Sequence, residues 1–172
     1  MKKGQIWIET VIYTLIGLVL IGLVLAFATP KINEFKDKAI IDQTIDSLKG
    51  LDSKISEVIQ EGPGNVRNVE FGMKRGDLYF DLTEDKIYYV IEDSRVLYSE
   101  PGIETEIGRI KILTEEGSIN NKITLTLYYD SDLVFQENAL KKFTAAPTPY
   151  RFSLSNKGFE NDREVIQIEE FG

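Results

Sequence analysis

The spacing of apolar positions changes twice along the chain. Val11 to Ala28 is apolar at nearly every position, and Thr10 to Pro30 is 21 residues without a formal charge. As a helix that stretch spans roughly 31 Å at ~1.5 Å per residue, against a bilayer core of about 30 Å. Beyond Pro30 the pattern becomes periodic. Ile32, Phe35, Ile41, Ile45, Leu48, Ile55, Val58 and Ile59 recur at three- and four-residue steps, with Lys, Asp and Glu between them. This predicts an amphipathic helix over 31–61, continuing through Pro30 and stopped by Gly62-Pro63-Gly64. Its apolar stripe suits packing against the chain's own sheet; a coiled-coil seam has the same steps.

From Val66 the period becomes two. Val69, Phe71 and Met73 alternate with polar residues, as do Leu78, Phe80 and Leu82, and Ile87, Tyr89 and Ile91. Ile123, Leu125, Leu127 and Tyr129 give the clearest strand, and Phe152–Leu154 and Ile166–Ile168 a terminal pair. Turn signals fall at Arg75-Gly76-Asp77, Glu84-Asp85, Glu92-Asp93-Ser94, Glu115-Glu116-Gly117 and Asn156-Lys157-Gly158. Ala145-Ala146-Pro147-Thr148-Pro149 reads as an extended connection. The expected fold is α+β. A long N-terminal helix, membrane-spanning and then amphipathic, packs on an antiparallel sheet or small sandwich over 65–172.

Charge then sets an orientation. Lys2 and Lys3 precede the apolar run; outside Lys2, Lys3 and Glu9, 18 basic and 27 acidic residues remain. Positive residues before the run predict a cytoplasmic N-terminus and an external C-terminal domain. So acidic a domain disfavours nucleic acid as a partner.

The absence of cysteine excludes disulfides and zinc–thiolate sites, and the absence of histidine removes the commonest general base. No G-x-S-x-G elbow or phosphate loop occurs. Asp130-Ser131-Asp132, Glu84-Asp85 and Glu160-Asn161-Asp162 offer oxygens but lack a calcium-loop spacing, and read as solvated acidic turns. No catalytic, cofactor-binding or metal residue is assigned, and the chain is read as a non-enzyme. Each of Tyr88-Tyr89 and Tyr128-Tyr129 must point one ring outward from a regular strand. The outward rings read as half-buried sheet residues.

Three readings fit the N-terminus. A plain single-pass anchor explains length and orientation but gives no account of Glu9 at the mouth of the run. A secretory signal peptide has its n-region and an Ala26-Phe27-Ala28 cleavage pattern, but its apolar region is ordinarily ~7–15 residues. The third reading rests on Lys2-Lys3-Gly4, then Gln5, then Glu9. These residues resemble the class III, prepilin-type signal peptide of archaeal type IV pilin-like proteins. The resemblance covers about the first 30 residues, and the amphipathic helix that follows fits it.

The resemblance implies cleavage after Gly4 by a prepilin peptidase, leaving residues 1–4 as the leader and Gln5 as the new N-terminus. Residues 5–30 would be the transmembrane and assembly helix. Glu9 stands where such proteins place an acid, four residues after the first. Where the family often has a small hydroxylated residue two positions after the cut, this chain has Trp7, which favours the membrane interface. Positions four apart share a helix face, so Gln5 and Glu9 flank one turn. In staggered helices the Glu9 carboxylate meets the Gln5 ammonium of a neighbour, and is neutralised only on assembly. Implied partners are the membrane, like subunits in a homo-oligomer or filament, a prepilin peptidase, a platform protein and an assembly ATPase. The expected role is a structural subunit of a type IV pilus-like surface filament, used for adhesion. The alternative is a single-pass anchored β domain that binds a partner without polymerising.

Overall fold

In the computed structural model, the backbone is described for residues 2–135 and 139–171, and side chains from residue 7 onward. The chain forms two compact units, Met1–Lys36 and Asp37–Gly172. Among the described residues there is one helix, α1 (Lys2–Glu61), which contributes residues to both and runs through Pro30.

In the second unit α1 presents Ile41, Ile45, Leu48, Leu51, Ile55 and Val58, all buried. Their three- and four-residue spacing makes one stripe, as the periodicity predicts. That stripe is shorter than predicted at its start. Ile32 and Phe35 lie in the first unit and are exposed, Phe35 at 71%. Leu51 joins the core as an unpredicted member. The helix stops at Gly62, whose φ of 83° only glycine adopts cheaply. Asn65 then donates its amide to the carbonyls of Glu61 and Gly62, at 2.8 and 3.0 Å. Last-turn carbonyls that the helix cannot satisfy thus find partners.

Ten strands follow among the described residues, in two sheets. They are β1 (Val66–Phe71), β2 (Asp77–Asp81), β3 (Lys86–Ser94), β4 (Thr105–Ile107) and β5 (Ile110–Glu115), then β6 (Asn121–Tyr128), β7 (Asp132–Val134), β8 (Leu140–Thr144), β9 (Tyr150–Glu160) and β10 (Arg163–Glu170). One sheet has the order β1-β9-β10-β7, the other β4-β5-β6-β3-β2-β8. All pairings are antiparallel except β10 with β7, so the first sheet is mixed. The fold is α+β, with one long helix packed on these sheets.

Inward-facing residues of both sheets and the helix stripe form a single core. At one place the two sheets meet directly. Phe80 of β2 and Phe143 of β8 pack edge-on to Phe152 of β9 at 5.3 and 5.1 Å between centroids, with Phe135 beside them. Such edge-to-face pairs favour the ring quadrupoles while excluding water.

Two turn expectations need correction. Asn156-Lys157-Gly158 lies inside β9, not at a turn; the register there slips by one residue opposite Val165/Ile166. The reversal instead falls at Asn161-Asp162, both left-handed at φ 48° and 64°, as a tight hairpin requires. Glu92-Asp93-Ser94 also stays within β3, as a bulge between Ile91 and Ser94 with Asp93 at φ 56°.

Candidate functional site

The sequence directs attention to the first unit, built from α1 up to Lys36. Its apolar run is long and apolar enough to cross a membrane. The large side chains are open, with Trp7 72% exposed and Phe27 80%. A soluble helix buries such a surface. Two threonine hydroxyls in the run bond to the helix's own backbone. Thr14 donates to the Thr10 carbonyl at 2.8 Å and Thr29 to that of Leu25 at 2.7 Å. Back-bonding of this kind removes the need for water as a partner.

Glu9 lies one residue before the uncharged stretch and is exposed. No hydrogen bond or ion pair is made by Glu9 or by Tyr13 among the described residues. Side chains at Gly4 and Gln5, the predicted processing positions, lie outside the described set.

In the second unit, polar side chains fasten the helix to its surroundings. Asp37, 3% exposed, accepts Arg75 Nη1 at 2.7 Å and the Arg95 backbone N–H at 2.9 Å. Asp52 accepts Arg109 Nη1 at 2.8 Å and the Tyr129 hydroxyl at 3.1 Å. Tyr98 donates to Asp42 at 2.7 Å. Burial, reinforced by the Asp42 carboxylate, pushes the Tyr98 hydroxyl up to about 12. Burial, reinforced by the charge of Asp52, likewise pushes Tyr129 well above the usual tyrosine value. These groups do structural duty: every carboxylate named here already holds a donor.

The acidic turns behave similarly. Asp85, Asp130 and Asp132 converge around Arg163, a clustering that the sequence does not reveal. Its guanidinium reaches Asp85 at 2.8 Å, Asp132 at 2.5 Å and the Asp130 carbonyl at 3.0 Å. No group of three or more acidic side chains among the described residues is arranged to hold a metal ion. Of the tyrosine pairs, Tyr89 and Tyr129 face inward and are buried, while Tyr128 is 47% exposed. Tyr88, half-buried, stacks on Tyr79 at 4.7 Å. Lysines cover the outward rings, Lys86 over Tyr88 and Lys111 over Tyr128, as sheet neighbours commonly do.

No protein-family model, no curated protein and no solved structure matches the chain. The class that the fold defines is an α+β domain on a long N-terminal helix whose first part is long and apolar enough to cross a membrane.

Proposed function

We propose that the chain is a pilin-like structural subunit, held in the membrane by its N-terminal helix and built to polymerise. The observation that supports this most is the pairing of one acid with a long open apolar helix. Among the described residues Glu9 stands unpartnered, at the mouth of a run whose large side chains are all exposed. A carboxylate in that place is unfavourable for a solitary anchor and useful only when a cation meets it. Removal of the 1–4 leader after Gly4 supplies that cation, as the α-ammonium of a neighbouring Gln5. Filament formation buries the open helix surface against other copies, and the acidic β domain forms the outside. The N-terminus then starts on the cytoplasmic side and the domain outside.

The test is Glu9→Ala in the native host. The variant reaches the membrane fraction at the level of the parent but is missing from sheared surface filaments. A variant that assembles as well as the parent contradicts the proposal and leaves a stationary anchored domain.

A further inference from the structure

One end of the four-stranded sheet carries a cavity of about 470 Å³. Small-molecule sites ordinarily hold roughly 300–1,000 Å³. Strand register brings its walls together. Glu70 of β1 stands opposite Arg151 of β9, and the Phe171 N–H donates to the Arg151 carbonyl at 3.0 Å. Thr148 and Pro149, from the connection that enters β9, and Glu170, the last residue of β10, complete the lining.

The fold leaves the polar groups of this cavity free. Glu170 and the Thr148 hydroxyl make no hydrogen bond or ion pair among the described residues. Arg151 gives Nε to Glu70 at 3.0 Å, and its guanidinium makes no further hydrogen bond among the described residues. The aromatic wall, by contrast, is fixed. Tyr150 donates its hydroxyl to the Thr144 carbonyl at 2.8 Å and packs edge-on to Phe143 at 5.0 Å. Pro147 and Pro149 restrict the backbone on both sides of Thr148. Fixed walls that carry free polar groups suit a ligand, because little order is lost on binding.

The mixture of groups selects a ligand class. Two carboxylates against one guanidinium disfavour an anion, and Arg151 repels a simple cation. A purely apolar ligand would strip water from Glu170 and Arg151 and give them no partner. A neutral sugar serves every group. Its hydroxyls donate to Glu170, accept from Arg151 and do either at Thr148. The C–H bonds of its ring are polarised positive by the oxygens and suit the negative faces of Tyr150 and Phe171. We propose that the cavity bounded by Tyr150, Arg151, Glu170 and Phe171 binds a neutral sugar. It lies within the second unit, and it stands whether or not the chain polymerises.

The test passes the full chain, in a detergent without sugar headgroups, over immobilised maltose, lactose, cellobiose and chitobiose. Sialyllactose serves as the anionic comparison. At least one neutral sugar retains the parent, and the same sugar in free form elutes it. Glu170→Ala and Phe171→Ala each weaken that binding about tenfold, the scale of one charge-assisted hydrogen bond or one stacked ring. Both side chains are exposed, so thermal unfolding of both variants stays at the parent midpoint and lost binding is not lost fold. Glu106→Ala, on the edge strand β4 of the other sheet, binds as the parent does. Retention by none of the four neutral sugars, tighter retention by sialyllactose than by lactose, or binding that survives either substitution overturns the proposal.

Discussion

Asn156 donates its side-chain amide to the main-chain carbonyl of Val58 at 3.1 Å, joining β9 to the last turns of α1. The same amide reaches Glu164 at 2.6 Å, and its oxygen accepts the Gly158 N–H at 2.9 Å. The Asn156 main chain takes the Gly64 N–H and donates to Asn65. One buried residue thus fixes the end of the helix, the turn after it and the bulge in β9. The hydrogen bond to Val58 reaches a carbonyl near the end of α1, where helical partners run out.

Asn156→Ala should therefore destabilise the domain by about 3 kcal/mol, because buried partners are left unsatisfied. Asn156→Asp should be at least as damaging, since the carboxylate cannot donate to Val58 and faces Glu164. Denaturant unfolding of the domain measures both. A loss below ~1 kcal/mol for the alanine variant would mean the hub is dispensable.

Asp37→Ala removes the acceptor for Arg75 and for the Arg95 N–H together. Among the described residues Arg75 Nε and Nη2 are already buried without partners, so no other acceptor there takes over the guanidinium. The expected loss is about 2–3 kcal/mol, the range for a hydrogen bond to a charged group. Glu34→Ala, which breaks the exposed pair with Lys31, should change stability by less than about 0.5 kcal/mol.

The raised tyrosines make the domain sensitive to alkali. Below the ordinary tyrosine value of 10.0, Tyr98 is protonated whether the chain is folded or not. Above it the unfolded chain loses the proton first, while the folded chain holds it until about 12. Stability is thus complete below the lower value and falls as pH rises through that window. Tyr129, held still higher, continues the fall. Unfolding midpoints taken at stepped alkaline pH should drop steeply for the parent and less steeply for Tyr98→Phe. Parallel curves would mean that Tyr98 plays no part.

Leu48→Ala and Phe35→Ala separate the two parts of the predicted apolar stripe. Leu48 is fully buried, so its truncation should lower stability by about 2–5 kcal/mol. Phe35 is exposed, and its truncation should leave unfolding of the β domain unchanged. Thermal unfolding of the two variants checks the contrast.

That contrast also shows what the sequence could reveal. Ile41, Ile45, Leu48, Ile55 and Val58 were legible because a helix buries one stripe and period alone exposes it. Ile32 and Phe35 have the same period but lie before the domain begins, and period does not mark where a partner surface starts. The strands around Phe80, Tyr89 and Leu125 were legible for the matching reason in sheets. Strand β5, with Ile110 and Ile112 buried, alternates too and escaped notice between polar neighbours. Strands β7 and β8 were illegible. β7 has three residues and pairs in parallel with β10, far along the chain, and nothing local specifies such a partner. The turn placed at Gly158 failed because glycine there serves a bulge, with φ of 94°, instead of a reversal. The candidate site was legible only as an acid, Glu9, at the mouth of an apolar run, and nothing local in the sequence specifies what meets it.

The mature N-terminus of the membrane-extracted protein, read by intact mass and N-terminal peptide mapping from the native host, tests the central claim most directly. A chain starting at Gln5 is the predicted result, because it creates the ammonium that the proposed assembly pairs with Glu9. A chain starting at Met1 would contradict the account, leaving Glu9 without its partner and the protein as an ordinary anchored domain.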